Sequence, residues 1–97
     1  MPEYKLSVAA ERDLEEIYAY SFSEFGEKRA DAYFESLEDC LNRLAYQPAL
    51  GMDLSSVREG YARFLHQRHS IYFKPSEFGI LVIRILGPGM SPERNLP

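Results

Sequence analysis

The chain has 97 residues, 45% of them hydrophobic and 27% charged, with a net charge of −4. That suffices for one hydrophobic core and excludes a disordered, fibrous or collagen-like chain, so one domain spanning 1–97 is expected. A single cysteine, Cys40, excludes an internal disulfide framework and a multi-thiolate metal centre. The opening MPEYKLS reads as no signal segment, and no apolar run nears the roughly 18 residues of a membrane span. A cytoplasmic location, without membrane contact, is expected.

The charge is uneven. Residues 1–48 carry 11 acids against 5 bases, a balance of −6, and residues 49–97 carry 4 acids against 6 bases, a balance of +2. The two halves therefore face different partners or solvents. Overall acidity argues against direct nucleic-acid binding as the main task, because gripping a phosphate backbone takes many lysines and arginines.

Tyr4–Lys5–Leu6 alternates like a first strand, and Ser7 follows at a good N-cap position. Ala10, Leu14, Ile17, Tyr18, Ser21 and Phe25 then recur at helical spacing, with Glu11, Asp13, Glu15 and Glu16 on the wet side. Gly26 ends this helix. A second runs from about Glu27 to Tyr46 on the stripe Ala30, Tyr33, Phe34, Leu37, Cys40, Leu41 and Leu44, and Pro48 stops it. Gln47–Gly60 lacks periodicity and reads as a loop with room for one helical turn. The period then becomes two. Tyr61–His66 and His69–Lys74 form two strands, Pro75–Gly79 a hairpin loop, and the almost wholly apolar Ile80–Leu86 a strand covered on both faces. The tail GPGMSPERNLP, rich in proline and glycine, is expected to be irregular. The order β-α-α-β-β-β defines an α+β fold, a helix hairpin packed on a mostly antiparallel sheet.

The chemistry-bearing residues are sparse. His66 and His69 are the only histidines, and three positions apart in extended chain, with a turn expected between them, they are expected to point to opposite faces, which suits no shared metal. Cys40 lies on an apolar helical stripe and reads as a core thiol, since a nucleophile needs an electropositive, partly exposed setting. Helical carboxylates pair with bases at i,i+4 (Glu24–Lys28, Asp39–Arg43), the pattern of a solvated surface. No phosphate-cradling glycine motif is present. Neither metal, cofactor nor catalytic set is expected.

What remains is an arginine set: Arg58, Arg63, Arg68 and Arg84. Arg84 interrupts ILVIRIL on the face shared with Val82 and Leu86, and a charge there is costly unless paired. Two readings stand: a salt bridge to a helix acid, or an open sheet face anchored on a partner by Arg84. The seven tyrosines likewise read either as ordinary half-buried residues or as interface anchors.

The order of elements and several short patterns resemble the ParE toxins of bacterial toxin–antitoxin operons, within the RelE/ParE superfamily. They are Ala9-Ala10-x-x-Asp13-Leu14-x-x-Ile17, Pro48 with Gly51, Arg58-x-Gly60-x-x-Arg63, His69-x-Ile71-Tyr72-Phe73 and Ile83-Arg84-Ile85-Leu86. The similarity runs nearly end to end, and it lies in the order and spacing of pieces that are individually weak. It implies a hetero-oligomer with a ParD-type antitoxin, a ribbon-helix-helix half joined to a disordered tail that folds on the toxin. The ParE branch poisons DNA gyrase; the RelE branch cuts mRNA on the ribosome. RelE-type cleavage draws on lysine, arginine and a C-terminal tyrosine or histidine. After Arg84 this chain has no His, Tyr or Lys, which favours the non-catalytic gyrase branch over the endonuclease.

On that resemblance the expected gyrase contacts are Arg58, Arg63, Arg84, Met90 and Arg94. The expected antitoxin contacts are Leu14, Tyr18, Tyr33, Leu37, Tyr72 and Arg84. One departure stands out. Many ParE chains read L-H-x-x-M-D after the last strand, whereas this one reads Leu86-Gly87-Pro88-Gly89-Met90-Ser91. An attenuated toxin that only binds its antitoxin is therefore a third reading.

Overall fold

A computed structural model describes residues 1–97. The chain runs β1 (Glu3–Leu6), α1 (Val8–Phe25), α2 (Glu27–Tyr46), a 3-10 turn (Pro48–Leu50), β2 (Met52–Asp53), β3 (Ala62–His66), β4 (His69–Ser76), β5 (Gly79–Leu86) and α3 (Pro92–Asn95). The five strands form one sheet in the order β1-β5-β4-β3-β2, with β1 parallel to β5 and every other pair antiparallel. The helix hairpin covers one face of it.

The expected elements form for the expected reasons. Ser7 caps α1: its Oγ accepts from Ala10 N at 3.0 Å and donates to the Ile83 carbonyl at 2.7 Å, which also ties the helix start to β5. Gly26 separates the helices at φ 88°, a conformation side chains avoid. Leu37, Leu41 and Leu44 of α2 meet Ile71, Phe73, Ile80 and Val82 of the sheet in the main core, with Cys40 among them. Burial raises the Cys40 thiol pKa, as befits a packing residue.

Four local expectations are corrected. The loop after α2 contains β2, whose Met52 and Asp53 pair with Arg63 and Ala62; two residues are too short to show alternation. β4 continues through Pro75 to Ser76, and the turn to β5 is Glu77–Phe78 alone. Pro75 is tolerated because β3 begins only opposite Phe73, leaving the stretch of β4 beyond it a neighbour on one side only. The tail forms the short helix α3, and its Leu96 packs on Tyr72, Ile83 and Leu86 in a second core on the face away from the helix hairpin. Finally, Asp13 is buried, not on the wet side.

A bulge in β5 decides which side chains face where. Tyr72 pairs with Arg84 while Phe73 pairs with Val82, so Ile83 is an extra residue. Val82 and Ile85 both join the helix-side core, and Ile83 and Leu86 both join the far-side core. Arg84 thus shares its face with Ile83 and Leu86, not with Val82.

Candidate functional site

Arg84 and Asp13 form the most constrained polar contact. Arg84 Nε donates to Asp13 Oδ2 at 2.8 Å and Nη2 to Oδ1 at 2.9 Å, a two-pronged pair, while Nη1 donates to the Asn95 carbonyl at 2.9 Å. The same carboxylate accepts the Ile85 amide at 2.8 Å. β1 stops opposite Val82, so the β5 edge beyond it lacks a strand partner, and Asp13 supplies the missing acceptor. Of the two readings of Arg84, the salt bridge to a helix acid is the one realised. The hydrogen bonds that Arg84 donates to Asp13 hold the guanidinium pKa above its usual value. Arg84 thereby fastens α1, β5 and the tail at one point.

Arg58 fastens the tail a second time, its Nε donating to the Pro97 carbonyl at 3.1 Å and Nη2 to that of Glu93 at 3.4 Å. Arg63 extends over the far face, its Nε donating to Ser70 Oγ at 3.1 Å. Met90 and Arg94 are exposed on the C-terminal segment, where Gly89 turns at φ 82°. Of the five expected target contacts, Arg58 and Arg84 hold the tail, and Arg63 and Met90 line one cleft.

The expected antitoxin contacts divide. Leu14 and Tyr18 line a groove of about 590 Å³ with Leu6 and Phe34, rimmed by Glu11 and Glu15. The Tyr18 hydroxyl donates to Asp31 at 2.6 Å, which raises its pKa. Tyr33, between the Asp31 and Phe34 that Tyr18 touches, is half-buried and turned toward His66 and His69. Leu37, at 0% exposure, is enclosed and offers a partner no surface in this fold, and the Tyr72 ring, in a residue 2% exposed, is likewise enclosed. Tyr18, Tyr33 and Tyr61 are half-buried, Tyr20 is exposed and Tyr72 is enclosed.

The histidines are also corrected. A two-residue turn at Gln67–Arg68 makes His66 and His69 a cross-strand pair on the helix-facing side. The Tyr33 hydroxyl lies 2.6 Å from His69 Nδ1, and Ser36 Oγ lies 3.0 Å from His66 Nε2. Burial lowers both imidazole pKa values, helped at His66 by Arg43 and at His69 by Arg68 and then His66. No cluster of three or more metal-ligating side chains exists.

Asp13, although part of the Ala9-Ala10-x-x-Asp13-Leu14 pattern, was expected on the wet side, and the Tyr33–His69 contact was not expected at all. Asp13 had a signal, since Ala10, Asp13 and Ile17 keep core spacing on α1. The Tyr33–His69 contact joins residues 36 apart in sequence and had none.

A helix hairpin over a sheet whose edge strand β1 runs parallel to β5, with a pinned C-terminal segment, defines the class. The fold matches a solved chain of the chromosomal ParDE TA system from P. aeruginosa with a TM-score of 0.75 at 21% identity, over 90% of this chain and 96% of that one. Residues 4–92 match the family model of the ParE toxin of type II toxin–antitoxin systems, parDE. Toxin ParE1 of Mycobacterium tuberculosis is 31% identical over 94 residues, 96% of each chain. Toxin ParE1 of Caulobacter vibrioides is 28% identical over 96 residues, 99% of each. The chain belongs to the ParE toxin family.

Proposed function

We propose that this toxin inhibits DNA gyrase by binding without catalysis and is neutralised by a ParD-type antitoxin in a hetero-oligomeric complex. The observation that carries the non-catalytic reading is a separation of groups. Phosphodiester cleavage needs acid–base groups and cations around one phosphate. Here His66 and His69 lie on the helix side of the sheet, bonded to α2, whereas Arg63 lies on the far side and Arg84 is spent on Asp13. That division favours binding over an RNA-cutting activity.

The antitoxin reading is supported by the groove of Leu6, Leu14, Tyr18 and Phe34, and by exposed Val8, Phe22 and Phe25 on α1. Glu11 and Glu15 on its rim ask for a segment with apolar knobs and basic flanks. An acidic portion of the same partner is better met by the arginine side of the sheet.

Purified gyrase, plasmid and excess toxin test the proposal. Linear plasmid covalently held by protein is the expected product. No cleavage product with folded toxin overturns gyrase poisoning and leaves the attenuated, antitoxin-only reading, to which the Gly87-Pro88-Gly89 segment points. Transcript cleavage in a translation extract instead establishes the endonuclease.

A further inference from the structure

On the face of the sheet away from the helix hairpin, the β3–β4 hairpin and the 87–92 segment enclose a cleft of about 500 Å³. Arg63 and Arg68 line it, together with Ser70, Tyr72 and the exposed Leu65 and Met90. No carboxylate lines it, although the chain carries 15 acids against 11 bases. Neither arginine belongs to an ion pair. Arg63 is braced through Nε by Ser70, which leaves the outer edge of its fork to the cleft. A fixed, unpaired guanidinium loses little freedom when it takes up an anion.

Tyr72 supplies an independent observation. The residue is 2% exposed, yet its hydroxyl has no hydrogen-bond partner and is not sealed from solvent. Enclosed tyrosine hydroxyls ordinarily find a partner. Here a hydroxyl without a protein partner lines the same cleft as two cations.

We propose that this cleft binds a carboxylate-bearing segment of a partner protein. Arg63 and Arg68 take an aspartate or glutamate side chain, the Tyr72 hydroxyl donates to it, and Leu65 and Met90 cover an adjacent apolar residue. A peptide fits better than a nucleic acid. The net charge of −4 repels a polyanion at long range, and the rim is aliphatic, with no exposed aromatic face on which a base could stack. The inference rests on the reading that the chain acts by gripping protein partners, but its test contains neither gyrase nor antitoxin. Failure of the peptide assay leaves that reading standing, and failure of the gyrase assay leaves the cleft standing.

The probe is the acetylated, amidated peptide Ala-Leu-Glu-Glu-Leu-Ala, titrated into isotopically labelled full-length toxin and followed by NMR. Shifts are expected to cluster at Arg63, Arg68, Ser70, Tyr72 and Met90 and to weaken with added salt. A chain carrying both Arg63→Gln and Arg68→Gln should lose the shifts. Tyr72→Phe should weaken binding about tenfold, the worth of one hydrogen bond to a charged group, with thermal unfolding unchanged to show an intact fold. The proposal is overturned if the Gln-for-Glu peptide binds equally, if shifts map to the α1 groove, or if none appear at about 1 mM peptide. Preferential binding of a short single-stranded oligonucleotide at the same residues also overturns it, since the cleft would then be a phosphate site.

Discussion

At the scale of single residues, Asp13 does more than any other polar group. It neutralises Arg84 and accepts the Ile85 amide, so removing it leaves a partly buried cation without its counter-ion and an edge amide without an acceptor. Asp13→Ala should cost about 3 kcal/mol, read as a lowered urea midpoint, and Arg84→Lys should fail to restore full stability because an ammonium cannot match the fork. The histidines set a pH dependence. Their folded pKa values lie below the ordinary 6.5, so as pH falls the unfolded chain takes up protons first. Stability is therefore complete above about pH 6.5 and declines as pH drops through it toward the folded values. Urea midpoints from pH 8 to pH 5 should show that decline, and the His66→Gln, His69→Gln double variant should flatten it.

Among the elements, α1 is placed by its first turn. Ser7 caps the helix and binds the Ile83 carbonyl, so one hydroxyl joins the capping interaction to the docking of helix on strand. Ser7→Ala should destabilise by about 1–2 kcal/mol, the upper part of the range for a lost cap, and calorimetry reads it as a lowered Tm. α2 contributes the leucine side of the main core. Leu41→Ala should cost about 2–5 kcal/mol, the cavity and transfer cost of a leucine at 0% exposure, measured by denaturant unfolding. The bulge at Ile83 works at the same scale. By breaking the alternation of β5 it sets Ile83 and Arg84 together opposite Tyr72, from where Arg84 reaches both the helix acid and the tail.

Across the whole molecule, the sheet separates two working faces. One carries the helix hairpin, its acid-rimmed apolar groove and the histidines; the other carries the arginine cleft and the pinned tail. Arg58 and Arg84 hold that tail by its carbonyls, so Arg58→Ala should loosen residues 92–96 while sparing the helix-side core. Hydrogen exchange is the measurement: the Leu96 amide, bonded to Pro92, should exchange faster in the variant, with protection in α2 unchanged.

The residues alone determined the two helices, their caps and stops, the three longer strands and the α+β class. These rest on local periodicity and on Ser7, Gly26 and Pro48, whose effects act within a few residues. They also determined that Arg84 needs a partner, because a charge in an apolar strand is costly wherever the strand sits. Only the tertiary structure decided which partner. Asp13 lies 71 positions away, and although its place between Ala10 and Ile17 marks it for burial, nothing local ties it to β5. The same holds for the His66–His69 pair, for β2, too short to carry a pattern, and for Leu96, whose burial depends on a face of the sheet that exists only once distant strands have paired. The uneven charge was visible in the composition; its concentration into one acid-free cleft was a product of folding, which set Arg63 and Arg68 beside a buried tyrosine.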